Sequence, residues 1–308
     1  TANLGRTFFL AACWLLALPN PSFSDQPASS ASQTLNYQTD PFTGRLSYQI
    51  PIVVPPGRQG IQPPLALGYS SSGGNDWCGV GWGLDVGFIE RDTSKGSARK
   101  LSGSTALNEY DDAKGFVVSF QGVNARLVKI SGNEYRAEVD NGAFLKFVYL
   151  NPSWEVTDKN GTKYLFGETG VSRMEHPSWT AGLGSSTLRW TLSCIKDVNG
   201  NQTYLSYIKH ENRFYLEAIS YNANVNSPAL TATHTVSFIL ENRPDWLVVD
   251  SPDIEKSWRG GFLAMTAKRL KSIDVKVSGA LARRYNLTYV QSTRTGRSLL
   301  AGVTQVGT

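Results

Sequence analysis

The side chains that could do chemistry in this 308-residue sequence are few and scattered. His176, His210 and His234 are its three histidines. None lies beside a Gly-x-Ser-x-Gly elbow or in a His-Glu-x-x-His pair, the settings that serine or zinc hydrolysis needs. They read as surface or hydrogen-bonded core residues. Asp158-Lys-Asn160-Gly161 and Asp197-Val-Asn199-Gly200-Asn201 look like the first half of a calcium loop. The position for the bidentate glutamate is Gly167 in one and Ser206 in the other, so both are better read as hairpin turns. Gly79, Gly81 and Gly83 alternate around Trp82, close to Trp77, which marks a packing loop and not a phosphate cradle. Asp111-Asp112 reads as a solvated loop pair. No catalytic, cofactor-binding or metal-binding residue is assigned, and no cofactor.

Aromatic and guanidinium groups are the other candidates. Trp82, Trp154 and Trp190 sit in apolar, strand-like sequence and are expected in the core. Trp179 and Trp258 sit in loop-like sequence, where a ring could stack on a sugar. Arg58 and Arg91 adjoin glycine turns and are expected to tie loops by donating to carbonyls.

These groups must be carried by β-structure. The chain holds 29 glycines, 8 Trp, 13 Tyr and 13 Phe, and its apolar residues alternate over short runs. Leu46, Tyr48, Ile50, Ile52 and Val54 set the period of two, with Pro51 requiring an edge or a bulge. Phe116–Phe120 and Arg126–Ile130 form one predicted hairpin, and Gly132-Asn133 turns into Tyr135, Ala137 and Val139. Asn141-Gly142 predicts a type I′ turn that leads into a strand from Phe144. The segments from Trp154 and from Trp190 echo each other: Trp, a strand, Asp-x-Asn-Gly, then an aromatic strand. Further strands are expected at 215–221, 233–240, 268–277 and 285–290, and loops at 223–229 and 250–261. No sustained 3.6-residue apolar period occurs, so the fold class is all-β, built of antiparallel hairpins as a sandwich or shell, with few short helices.

The N-terminus reads as an export signal over residues 1–24. Arg6 supplies the positive charge, Thr7 to Leu18 is an apolar run, Pro19 and Pro21 break it, and Ser22 and Ser24 precede a cut before Asp25. Residues 25–39 are expected to be a flexible leader and 40–308 a β region. The sequence opens on Thr1 and stops after strand-like residues at Thr308, so it reads as a fragment of a longer chain. Removing Arg6 leaves 29 basic against 25 acidic residues, about +4, too mild for a nucleic-acid partner. No other run is long and apolar enough for a helical membrane span. Cys13 leaves with the signal. Cys78 and Cys194 either pair in an oxidising compartment, closing a loop worth about 4–5 kcal/mol in the entropy model, or stay as buried thiols.

From Asp40 to Thr93 the residues carry a resemblance. The block holds Gly44, Tyr48, Ile50-Pro51-Ile52, Pro55-Pro56-Gly57-Arg58, Gly60, Pro63, Leu65, Leu67 and Tyr69-Ser70-Ser71. It continues through Gly74-Asn75, Gly79, Gly81-Trp82, Leu84, Ile89 and Arg91. This order resembles the N-terminal region of the SpvB/TcdB family of virulence proteins and insecticidal toxins. Looser likeness follows at Trp154 to Thr162, Asp197 to Asn201, Asn242-Arg243-Pro244-Asp245 and Arg297 to Leu300. The resemblance implies that Tyr48, Pro51, Pro56, Gly57, Arg58, Tyr69, Asn75, Gly81, Trp82 and Arg91 are structural motif residues. It also implies a module that opens a large toxin polypeptide, ahead of propeller or RHS segments and beside other toxin subunits. Some family members precede an ADP-ribosyltransferase domain. That chemistry needs a Glu-x-Glu pair, which this sequence lacks. The resulting expectation is a secreted, non-catalytic structural module. The alternative is an exported adhesin or glycan-binding β domain, and a hydrolase has little support.

Overall fold

A computed structural model describes residues 37–226, 228–248 and 250–307. The expected signal at 1–24 and most of the leader lie outside the described residues. Tyr37–Thr39, placed in that leader, instead forms β1 and pairs with β2 (Leu46–Ile52). Next come β3 (Leu65–Ser70), the small hairpin β4 (Asn75–Asp76) and β5 (Gly79–Val80), and β6 (Trp82–Gly83). Strands β1-β2-β3-β6 make one antiparallel sheet in that order. β1 covers only Leu46 to Tyr48 of β2, so Pro51 sits where the outer edge of β2 is unpaired and its missing N–H costs no ladder bond.

The chain then enters a barrel. β7 (Phe88–Arg91) is followed by the satellite hairpin β8 (Arg99–Ser102) and β9 (Thr105–Tyr110). After it come β10 (Phe116–Phe120), β11 (Val123–Ser131), β12 (Glu134–Ala137), β13 (Lys146–Tyr149), β14 (Trp154–Thr157) and β15 (Lys163–Phe166). A short β16 (Arg173–Glu175) leads to β17 (Thr187–Lys196). β15 pairs with β17, and β17 pairs with β7, so eight antiparallel strands, β7, β10 to β15 and β17, close into a ring. An eight-stranded barrel is just wide enough for side chains to fill. Phe116, Phe147, Trp154, Phe166 and Trp190 fill it, each essentially inaccessible to solvent. Their rings meet edge to face: Phe116 lies 4.9 Å from Trp154, and Trp154 lies 6.0 Å from Trp190.

β17 belongs to two structures. Its first half pairs with β7, and Cys194 to Lys196 pair with β18 (Asn201–His210). From there an open antiparallel sheet runs through β19 (Arg213–Asn224), β20 (His234–Asn242), β23 (Lys268–Val277), β24 (Ala280–Gln291) and β25 (Ser298–Gly307). The hairpin β21 (Glu255–Ser257) and β22 (Ala264–Thr266) interrupts it, and its first strand lies inside the segment 250–261 expected to be loop. The N-terminal sheet lies against the open sheet. The Tyr221 hydroxyl donates to the Pro55 carbonyl at 2.7 Å, and the Val53 N–H donates to the Tyr285 hydroxyl at 2.9 Å. One continuous core joins both sheets and the barrel.

The all-β expectation is met: helix among the described residues is limited to three-residue 3-10 turns. Both Asp-x-Asn-Gly segments are hairpin turns. Asp158 accepts from the Asn160 and Thr162 N–H groups, and Asp197 from those of Asn199 and Asn201. Asn141-Gly142 departs from expectation. Asp140 accepts the N–H groups of Gly142 and Phe144, which opens a wide loop, so β13 starts at Lys146 and Phe144 stays exposed.

Candidate functional site

Tyr48, Tyr69, Asn75, Gly81, Trp82 and Arg91 gather at three internal joints, whereas Pro51, Pro56 and Arg58 are exposed. The first is an aromatic ladder. Tyr48, Tyr69 and Trp82 face one another across β2, β3 and β6, with Trp82 6.0 Å from Tyr48 and 5.2 Å from Tyr69. Gly81 must be glycine: its φ is +78°, and a Cβ there would stand 2.6 Å from the Tyr69 ring. Gly57, after the exposed Pro56, is required for closeness, because a Cβ would lie 2.0 Å from the Ile61 carbonyl oxygen. Arg58 does not tie the loop with its guanidinium as expected. It is exposed, and its backbone N–H donates to Asn222 Oδ1 at 3.0 Å.

The second joint is Arg91, at the end of β7 and fully buried. Its Nε donates to the Thr187 carbonyl at 2.7 Å, one terminal nitrogen to the Gly184 carbonyl at 2.9 Å and the other to Asp112 at 2.7 Å. The guanidinium carbon stands 5.3 to 5.5 Å from the rings of Tyr110, Phe116 and Trp190.

The third joint brings together three segments remote in sequence, each with a family-like motif. Arg243 is buried and its ion-pair partner Asp253 is 0% exposed. Arg243 donates to Asp253 Oδ1 at 2.6 Å, to the Asp253 carbonyl at 3.0 Å, to Asn75 Oδ1 at 3.1 Å and to the Asp76 carbonyl. Asn75 Nδ2 donates back to the Asp253 carbonyl at 2.9 Å. Asp253 also accepts the Ser298 backbone N–H on Oδ1 and the Ser298 hydroxyl on Oδ2, both at 2.6 Å. A buried carboxylate with this many donors is a packing device, fully solvated by protein. Asp253 was not singled out from sequence. Asn242-Arg243-Pro244-Asp245 was, but as a likeness, with no sign of its partner ten residues on.

The remaining candidates stay apart. Cys78 and Cys194 are both free and buried, so the pairing alternative is not realised: one lies at the turn of the β4–β5 hairpin, the other in mid-β17. Burial pushes the Cys78 thiol well up and that of Cys194 to about 12. His176 stacks on Trp179 at 4.0 Å, His210 meets Trp246, and His234 meets Tyr221. Trp179 is therefore not the free surface ring expected. It packs with Tyr110 in a satellite core under Phe262 and Leu188, because the 176–186 segment folds back on the two satellite hairpins. Trp258 is 66% exposed. Among the described residues no group of three or more His, Cys, Asp or Glu side chains is placed to hold a metal ion. Among the described residues, no helix is long and apolar enough to cross a membrane.

A closed eight-stranded barrel continued into an open antiparallel sheet, with most of its motif residues at internal joints, defines an all-β module. Residues 40–241 match the family described as Salmonella virulence plasmid 65kDa B protein, SpvB, and the chain belongs to that family. The mono(ADP-ribosyl)transferase SpvB of Salmonella enteritidis is 26% identical over 209 residues, covering 63% of this chain and 34% of that protein. The chain thus spans about a third of the length of its curated relatives and matches only their N-terminal region. Among solved structures, TcdB2-TccC3 superposes with a TM-score of 0.70 at 18% identity, over 89% of this chain and 16% of that one. The N-terminal domain of the effector SpvB from Salmonella typhimurium strain LT2 superposes with a TM-score of 0.59 at 21% identity, over 84% and 98%. At these identities the likeness establishes a shared fold.

Proposed function

We propose that the chain is a non-catalytic structural and assembly module near the N-terminus of a secreted toxin or virulence polypeptide. It would precede propeller or RHS-type segments and assemble with other toxin subunits. Its export would be directed by residues 1–24. The observation that carries this reading is the inward use of most of the motif, Pro51, Pro56 and Arg58 excepted. Tyr48, Tyr69, Gly81 and Trp82 build a ladder, Arg91 closes the barrel, and Asn75 joins Arg243 and Asp253. Residues held for binding or catalysis instead converge on a cleft with unmet polar groups.

Exposed Trp258 favours one rival, a glycan-binding adhesin. The test is to read the gene past Thr308 and to screen the chain on a glycan array. Continuation into β-repeat sequence with a blank array is the expected result. A stop codon directly after Thr308, with a saturable glycan signal abolished by Trp258→Ala, would overturn the module reading in favour of the adhesin.

A further inference from the structure

Where β7 leaves β17 and β18 begins, the barrel mouth opens onto a cavity of about 630 Å³. Its walls come from the Ile61–Leu65 segment, the strip Asp85 to Gly87, the β10–β11 turn and strands β15, β17, β18 and β19. Val86, Phe120, Leu192, Ile195 and Ile219 supply an apolar floor. Gln62 and Gln121 add carboxamides that can donate or accept, and Asn124 lies exposed beside the β10–β11 turn. The carboxylates of the lining are Asp85 and Asp197, and none of the described lining residues is Lys, Arg or His. A second cavity, of about 610 Å³, lies across the shared strip Asp85 to Gly87 and contains Arg189 and Arg213. Those arginines are already paired, with Glu90 and Asp76. The two cavities therefore differ in lining: the first has carboxylates and no cationic side chain, and the second holds arginines that are already paired with carboxylates.

We propose that the barrel-mouth cavity is a binding site for a small amphipathic molecule that is uncharged or cationic. The size and the mix of apolar floor with a few fixed polar groups match those of small-molecule sites, and barrel mouths are a favoured place for them. The floor takes an aromatic or aliphatic body. The carboxamides orient hydroxyl or amine groups, and Asp85 and Asp197 repel an anion of the same shape. This site is independent of the structural-module reading, which stands or falls on other measurements.

Two fluorescent probes with the same ring system test it: neutral N-phenyl-1-naphthylamine and its anionic relative 1-anilinonaphthalene-8-sulfonate. The neutral probe should bind the folded chain saturably at one site, at least about tenfold tighter than the anionic one. Ile195→Trp, which fills the floor, should weaken the neutral probe by about tenfold or more while the thermal melt stays cooperative. Asn124→Arg leaves the floor intact, so it should keep the neutral probe within about twofold and tighten the anionic one by about tenfold, which serves if Ile195→Trp does not fold. Non-saturable binding, equal affinity for both probes in the unaltered chain, or an Asn124→Arg variant that gains nothing for the anion would overturn the proposal. So would undiminished binding to a folded Ile195→Trp chain.

Discussion

Arg91 in the barrel and Arg243 beside the open sheet are both fully buried, yet they are neutralised in opposite ways. Arg91 reaches the barrel rim, where the side chain of its carboxylate partner Asp112 is 54% exposed, and three aromatic rings and two carbonyls complete its shell. Arg243 faces Asp253, which has no exposure at all, and the pair depends on Asn75, Asp76 and Ser298. The barrel closes on itself, so its arginine can lean on a solvated charge. An open sheet has no such closure, and the Arg243–Asp253 pair instead ties down a distant hairpin, a loop and the last strand. A carboxylate that water can replace costs little when lost. One that nothing can replace costs a great deal.

Asp253→Ala should therefore have the largest effect. Removing one member of a buried pair costs about 3–5 kcal/mol, read as a lower urea midpoint. The double variant Arg243→Met/Asp253→Leu should recover much of that loss, because no charge is stranded. Equal losses in the single and double variants would break the comparison. Inside the barrel, Trp190 Nε1 donates to the Pro152 carbonyl, whereas Trp154 Nε1 has no hydrogen-bond partner among the described residues. Trp190→Phe should accordingly cost about 1 kcal/mol more than Trp154→Phe in the same unfolding measurement. Asp112→Ala should cost less again, under about 1 kcal/mol, since its partner keeps two carbonyls and the aromatic faces. A loss as large as that of Asp253→Ala would show that rim and interior do not differ.

The smallest effect is a pH dependence. His176 and His210 are held below the ordinary imidazole value, chiefly by burial, and secondarily by Arg99 and Lys268 respectively. A lowered folded value means that the unfolded chain takes the proton first. Their stabilisation is present above pH about 6.5 and declines as pH falls through that value towards the folded one. Urea midpoints between pH 8 and pH 5.5 should fall less steeply in His176→Gln/His210→Gln. An unchanged slope would remove these histidines from the pH response.

Much of the architecture was legible in the residues, and the limits were physical. Lys268–Val277 was expected as a strand with the bounds it has, and both Asp-x-Asn-Gly turns were read correctly, because period-two burial and turn chemistry are local. The ring closure was not legible: β15–β17 and β7–β17 join residues whose pairing only the folded chain defines. Asn141-Gly142 misled because Asp140 competes for the same N–H groups. Trp179 misled because loop-like sequence does not reveal that Tyr110 and His176 cover it. At the third joint, Asn75 and Arg243 stood out as motif letters, but Asp253 lies in a stretch of ordinary polar sequence and carries no such mark.

Native-state hydrogen exchange tests most directly whether the motif segments are internal joints or functional loops. Loops that bind or react are drawn from the low-stability end of a fold and open locally, whereas joints open only with the whole. The amides of Trp77, Arg243 and Ser298 donate to Asp76 Oδ1, the Ala267 carbonyl and Asp253 Oδ1 respectively. All three should exchange with the free energy of global unfolding, and Asp253→Asn should release them together. Fast, independent exchange at these amides, unmoved by Asp253→Asn, would contradict the structural role assigned to the motif.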